Sequence, residues 1–336
     1  MAESPDFAIN LTQDQLAKWL IEDAPYKIQI ARVWPFMGIQ GGKISYARTS
    51  ELQAVADIDD MATILGDGDT DITDQTADVN TPNATFTLGE LATRYKIDYV
   101  AMDRFKYPNN LDAVESALAI RRLMYMYFRK LDLDQGVDTT PGNFRSLYEL
   151  STNTIAAVNT DAFTKLYSLQ QAYALVTANN GRPNAIMCNS RAYRWIVDAY
   201  FRGPGKPEFV ETDWSDPMKG SVRAPQLAIN GTPVYINDMI ATAEVAEPAS
   251  ATTRIYFMVL GDANEAGPVR GITGIVPAPL KGTMFVRRES AEPSTSTKTR
   301  VNVTYAFPVA TAMGSSGALS VLEGVDVLNF PTVPVT

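Results

Sequence analysis

The chain has 336 residues, 46% of them hydrophobic and 20% charged, with a net charge of −9. That length and balance allow about two domains with a sizeable core, and no apolar run reaches the ~18 residues that span a bilayer. Histidine is absent and Cys188 is the single cysteine, which excludes an internal disulfide, Ser-His-Asp and Cys-His catalysis, and zinc sites built on His and Cys.

Carboxylates, Lys, Tyr, Ser and Thr remain for any catalysis. The acidic total argues against a reader of nucleic-acid sequence, and does not exclude a container that must avoid sticking to packed DNA. The N-terminus, Met1-Ala-Glu-Ser-Pro-Asp6, lacks the basic and apolar stretches of a secretory signal, so a cytoplasmic product is expected.

Residues 1–42 read as an arm. Thr12 is a candidate N-cap for a short helix with Leu16, Trp19 and Leu20 on one face before Pro25. Trp19, Trp34 and Phe36 either dock on another molecule or cap the protein's own core, and this segment alone does not separate the two. Ile44 and Tyr46 alternate in a strand from Lys43 to Ala47. A longer strand-like run spans Thr85 to Met102, with Tyr95, Ile97 and Tyr99 on one face and Arg94, Lys96 and Asp98 on the other. Phe86 and Leu88 have the opposite parity, so a bulge is expected near Gly89-Glu90.

Between these strands lies an acidic stretch with eight aspartates from Asp57 to Asp78 and no Lys or Arg between Arg48 and Arg94. The whole reads as a two-stranded arm with a polar tip. A strand of about 14 residues would reach roughly 45 Å, and so isolated a hairpin should lie on a neighbour. Asp67-Gly-Asp-Thr-Asp71 superficially resembles a calcium loop. However, Ile72 stands where an EF-hand needs glycine, and Asp78 stands in place of the bidentate Glu, so it reads as a solvated acidic loop and no metal is assigned.

The longest helix is expected from Leu111 to about Asp134, with Val114, Leu118, Ile120, Leu123, Met124, Tyr127 and Leu131 on its apolar face. Its Arg121-Arg122 either meet phosphate or a neighbour's acidic loop, or form a solvated face. A second helix, Thr160 to Asn180, carries Phe163, Leu166, Tyr173 and Val176. The short strand Ala185–Cys188 leads through Asn189-Ser190 into a third helix with Tyr193, Ile196, Val197 and Tyr200. Strands follow over Pro233–Ile236 and the buried run Ile255–Leu260. Cys188 reads as a small core residue. The last third is mostly β. Met284–Arg288 is followed by a polar turn over Ser290–Lys298, a strand burying Val301, Val303, Tyr305 and Phe307, and a further strand within Gly317–Val327.

This order of elements resembles the HK97-fold major capsid family of tailed bacteriophages across nearly the whole chain. The segment Gly89-Glu-Leu-Ala-Thr-Arg-Tyr-Lys-Ile-Asp-Tyr-Val-Ala-Met-Asp-Arg-Phe105 is similar to the return strand of that family's E-loop running into its spine helix, here Leu111–Asp134. Asn184-Ala-Ile-Met-Cys-Asn-Ser-Arg-Ala-Tyr-Arg-Trp-Ile196 is similar to the strand–helix unit of the axial domain, and residues 284–309 resemble the long peripheral strands. The resemblance implies an α+β fold with an N-terminal arm (1–42), an E-loop hairpin (43–102), a spine helix (103–140), an axial α/β domain (141–280) and peripheral strands with the C-terminal segment (281–336).

It also implies a structural protein without cofactor, assembled in the host cytoplasm as pentamers and hexamers of an icosahedral virion shell around double-stranded DNA. Separate scaffolding, portal and decoration proteins would be its partners. Trp19, Trp34, Phe36, Arg94, Tyr95, Ile97, Tyr99, Arg121 and Arg122 are the expected subunit-interface residues. Two other classes compete: an encapsulin-type nanocompartment shell and a hydrolase working through two carboxylates.

Overall fold

The computed structural model describes residues 28–39, 43–47, 83–98, 111–132, 144–216, 220–245, 250–261, 271–277, 287–293, 300–314 and 316–327. Within them the strands are β1 (Phe36–Ile39), β2 (Lys43–Ala47), β3 (Asn83–Thr87), β4 (Gly89–Asp98), β5 (Asn153–Ala156), β6 (Ala185–Cys188), β7 (Glu208–Asp216) and β8 (Gly220–Ile229). They continue as β9 (Thr232–Ile236), β10 (Ala243–Val245), β11 (Ser250–Met258), β12 (Ile272–Pro277), β13 (Arg287–Pro293), β14 (Arg300–Met313) and β15 (Leu319–Asp326). The helices are α1 (Leu111–Lys130), α2 (Leu147–Leu150), α3 (Ala162–Asn180) and α4 (Ser190–Arg202).

One sheet is built on β14. It pairs with β4 along Arg300–Val309 on one side, and with β13 and then β12 on the other; parallel β1 completes the sheet beyond β12. Among the described residues, 307–309 pair with β4. Phe36 stands opposite Gly274, and a Cβ there would lie 2.6 Å from the Phe36 ring, so this approach of backbone to aromatic requires glycine.

The other large sheet runs β5-β15-β11-β6-β9-β8-β7, with β10 on β11. Its central strands are apolar on both faces because a core lies on each side. Ala185, Met187, Tyr256 and Met258 point into the core shared with α1 and the β14 sheet. Their neighbours Ile186, Cys188, Ile255 and Phe257 point into the core under α3 and α4. This two-sided burial turns the sequence into a continuous apolar run rather than an alternating one.

Local chemistry fixes the helices. In α1, Ala119, Leu123 and Tyr127 recur at four-residue spacing and are buried, with Phe128 beside them and Leu131 continuing the stripe just past the helix end. Arg129 and Lys130 close the last turn, where the helix dipole favours cations. Asp161 caps α3 by accepting from the Thr164 amide at 2.7 Å, and Asn189 caps α4 by accepting from the Ala192 amide at 2.8 Å. The β8–β9 turn is Asn230-Gly231, both at positive φ (51° and 73°), the pairing that tight hairpins demand.

Several expectations change. Helix α1 has 20 residues and ends four residues earlier than expected, at a turn through Leu131-Asp132. Ile120 and Phe163 are not on buried faces but are 42% and 64% exposed. The run Thr85–Met102 is not one bulged strand: it breaks at Leu88, where β3 pairs with β2 and β4 leaves for β14. Ser290–Pro293 is strand rather than turn, paired with residues 301–304. Within the C-terminal segment, β15 pairs with β11 and β5 in the sheet of the middle region. The arm helix, the acidic stretch with its calcium-like loop, and Trp19 and Tyr99 lie outside the described residues.

Candidate assembly surfaces

An assembly role depends on what each element leaves for a neighbour. Trp34 is 4% exposed, Phe36 5% and Tyr95 6%, so their apolar surface belongs to the subunit's own core. Trp34, Phe36, Tyr127, Phe128, Phe144 and Phe307 form one aromatic cluster with ring centroids 5.2–6.4 Å apart. Trp34 Nε1 donates to the Tyr127 hydroxyl at 2.9 Å. Full burial holds the Tyr127 phenol far above its ordinary pKa, so it stays neutral. Tyr95 shares a 3.0 Å hydroxyl hydrogen bond with Ser116, fastening β4 to α1.

The remaining expected interface residues sit differently. Arg94 is exposed and donates from Nε to Thr304 Oγ1 at 3.3 Å, bracing β4 against β14. Ile97 lies in β4 opposite Val301. Arg121 turns along its own helix, donating to the Tyr125 hydroxyl at 2.9 Å with its guanidinium 5.2 Å from that ring, whereas Arg122 is exposed. Of the expected set with described side chains, Arg94 and Arg122 are therefore the exposed ones.

A polar joint fixes the end of α1 to the β11 sheet. Asp132 is 2% exposed. One carboxylate oxygen accepts from the Ala241 amide at 2.8 Å and the other from the Tyr256 hydroxyl. Arg254 reaches the same carboxylate at 3.5 Å, donates to the Asp132 carbonyl at 3.2 Å, and lies 3.8 Å from the centre of the Tyr148 ring. Tyr148 donates onward to Glu323 at 3.2 Å. Desolvation raises the Asp132 pKa despite these partners, and desolvation together with the facing carboxylate keeps Tyr256 protonated. A helix end, two strands and a loop are thus tied by one buried network.

Sequence reading missed this joint, but two signals mark it. A carboxylate just beyond Arg129-Lys130 opposes the helix dipole unless something else holds it. A tyrosine inside the apolar run Ile255–Leu260 must place its hydroxyl on a partner.

No family model and no curated protein sequence matches the chain. Solved structures do. The holo-SrpI encapsulin of Synechococcus elongatus PCC 7942 superposes with a TM-score of 0.63 at 14% identity, over 90% of this chain and 89% of that one. The capsid of a native GTA particle gives 0.55 at 13% identity over 87% and 88%. Microbacterium phage Oxtober96 gives 0.50 at 13% identity over 87% and 89%. The chain has the HK97-type fold. At so low an identity, the HK97-type architecture is carried by patterning and pairing rather than by shared residues. Sequence reading also missed a long hairpin of this HK97-type chain, β7–β8. Its nine paired positions extend past β9, which is hydrogen-bonded only through Ala228 and Ile229.

Proposed function

We propose that the chain is a shell subunit, the major capsid protein of a phage-type head, whose pentamers and hexamers close an icosahedral shell around double-stranded DNA. The observation that carries this reading is the likeness over nearly nine-tenths of both chains to subunits of an encapsulin, a GTA particle capsid and a phage. In this reading β2–β3 belongs to the E-loop, α1 is the spine helix, the β14 sheet is the peripheral domain, and the β11 sheet with α3 and α4 is the axial domain. The Asp132 joint then fastens spine to axial domain, so that load on one is borne by the other. Scaffolding and portal proteins would be partners during assembly in the host cytoplasm.

The role is structural rather than enzymatic. Cys188 is fully buried, and desolvation raises its thiol pKa, which keeps it inert. The cleft of about 250 Å³ beside Arg254 is lined by a single carboxylate, Glu323, so this cleft does not present the facing pair that a two-carboxylate hydrolase uses.

A second reading, an encapsulin-type compartment holding protein cargo, is favoured by the 0.63 TM-score with the encapsulin. Particles purified from the native source separate the two. Nuclease-protected double-stranded DNA is expected for a head, and particles containing protein cargo and no nucleic acid would replace this reading with the second.

A further inference from the structure

Among the described residues, the most exposed large apolar side chains gather at one end of the β11-sheet lobe. Phe201 is 71% exposed, Phe163 64%, Phe209 58%, Tyr167 56% and Val158 45%. The first turns of α3 pack on the last turns of α4: Lys165 pairs with Asp198 at 3.6 Å, and the Leu166 side chain would lie 2.7 Å from a Cβ on Gly203. Phe163 and Tyr167, four residues apart, share the face of α3 turned away from its buried residues Leu169, Tyr173 and Val176. Strand β7 begins next to this junction, where Glu208 neighbours Tyr200 and accepts from the Gly231 amide at 2.8 Å. Phe209 stands directly opposite Leu227, and Leu227 is buried in the core under the helices. Side chains directly opposite share a face, so Phe209 projects on the helix side of the sheet, beside α4.

We propose that this aromatic face, Phe163, Tyr167, Phe201 and Phe209, docks on a second copy of this chain. Aromatic side chains present about 150–250 Å² each. At the exposures above, the four leave about 500 Å² of apolar surface in water. A standard interface covers about 800 Å² per partner, roughly 60% of it apolar, which is the same area. Exposed Arg202, Lys206, Gln170 and Gln171 give the patch a polar rim, as interfaces have. A closed shell needs each copy to offer a surface that is buried by the next. The inference rests on the shell reading and assigns to it a surface absent from the expected interface residues.

The full chain and its F163S/F201S variant test the proposal, compared by sedimentation velocity across a concentration series and by thermal melting. The expected result is an assembly threshold raised at least about ten-fold in the variant with an unchanged melting temperature. Equal assembly of both proteins would overturn the aromatic face and leave the shell reading intact. A variant that melts lower yet assembles normally would show that the chain's own segment covers the patch, and would also overturn it. Small oligomers of the wild type that dissociate in the variant would keep the aromatic face and remove the shell reading. A wild type that is monomeric throughout, with scaffolding protein supplied as well as without it, would remove both.

Discussion

Asp132 carries the sharpest consequences at the scale of single residues. It is buried, and its oxygens are held by Tyr256, Ala241 and Arg254. Asp132→Ala strands these donors. Because the Arg254 side chain is 28% exposed, the loss should fall at the low end for a broken buried pair, about 3 kcal/mol by denaturant unfolding. Burial raises the carboxyl pKa above 3.8, so folding takes up a proton just above that value. The residue's contribution is full below the unfolded pKa and declines as pH rises through the folded one. Asp132→Asn removes the titration, so the wild type should lose stability relative to the variant as pH rises from about 4. Parallel pH–stability curves would contradict this. Trp34→Ala, in the aromatic cluster, should cost about 3–5 kcal/mol of subunit stability; impaired assembly with unchanged unfolding would instead make Trp34 an interface residue.

At the scale of elements, the β8–β9 turn is the clearest test. Gly231 is at φ 73°, where an L side chain costs about 1–2 kcal/mol. Gly231→Ala should lower stability by that amount in chemical denaturation, and an unchanged midpoint would show that the turn is not the positive-φ form. Period and caps made much of this level legible in the sequence: α1 through its four-residue stripe, α4 through Asn189, and β14 through its early alternation. Ile120 and Phe163 were misplaced because helical periodicity identifies an apolar stripe but not which of its margins stays in water. The single strand expected over Thr85–Met102 became two because a parity slip is equally the mark of a bulge and of a change of sheet. The β7–β8 hairpin was missed because Glu208, Glu211, Asp213 and Asp216 dilute its β signal. The own-core alternative for Trp34 and Phe36, and the burial of Tyr95, could not be read locally because their partners on α1 and β14 are distant in sequence.

For the whole molecule, two sheets, a core on each side of the central strands and a polar joint fixing the end of α1 to the β11 sheet give the chain its frame. Its connections to neighbours would come from projecting hairpins and exposed aromatics instead of the buried core. Many modest apolar contacts at ~25 cal/mol per Å² suffice when a closed shell repeats them. Interface charge pairs such as those open to Arg94 and Arg122 would set register more than strength, so raising salt should slow assembly without abolishing it, as followed by light scattering. The most direct test of the account is electron microscopy of particles formed by the purified full-length chain, with scaffolding protein supplied if required. Closed shells, with density at each lattice position that fits the two-sheet subunit, are the predicted result. A folded chain that forms no shell or capsomer-like ring under either condition would contradict it.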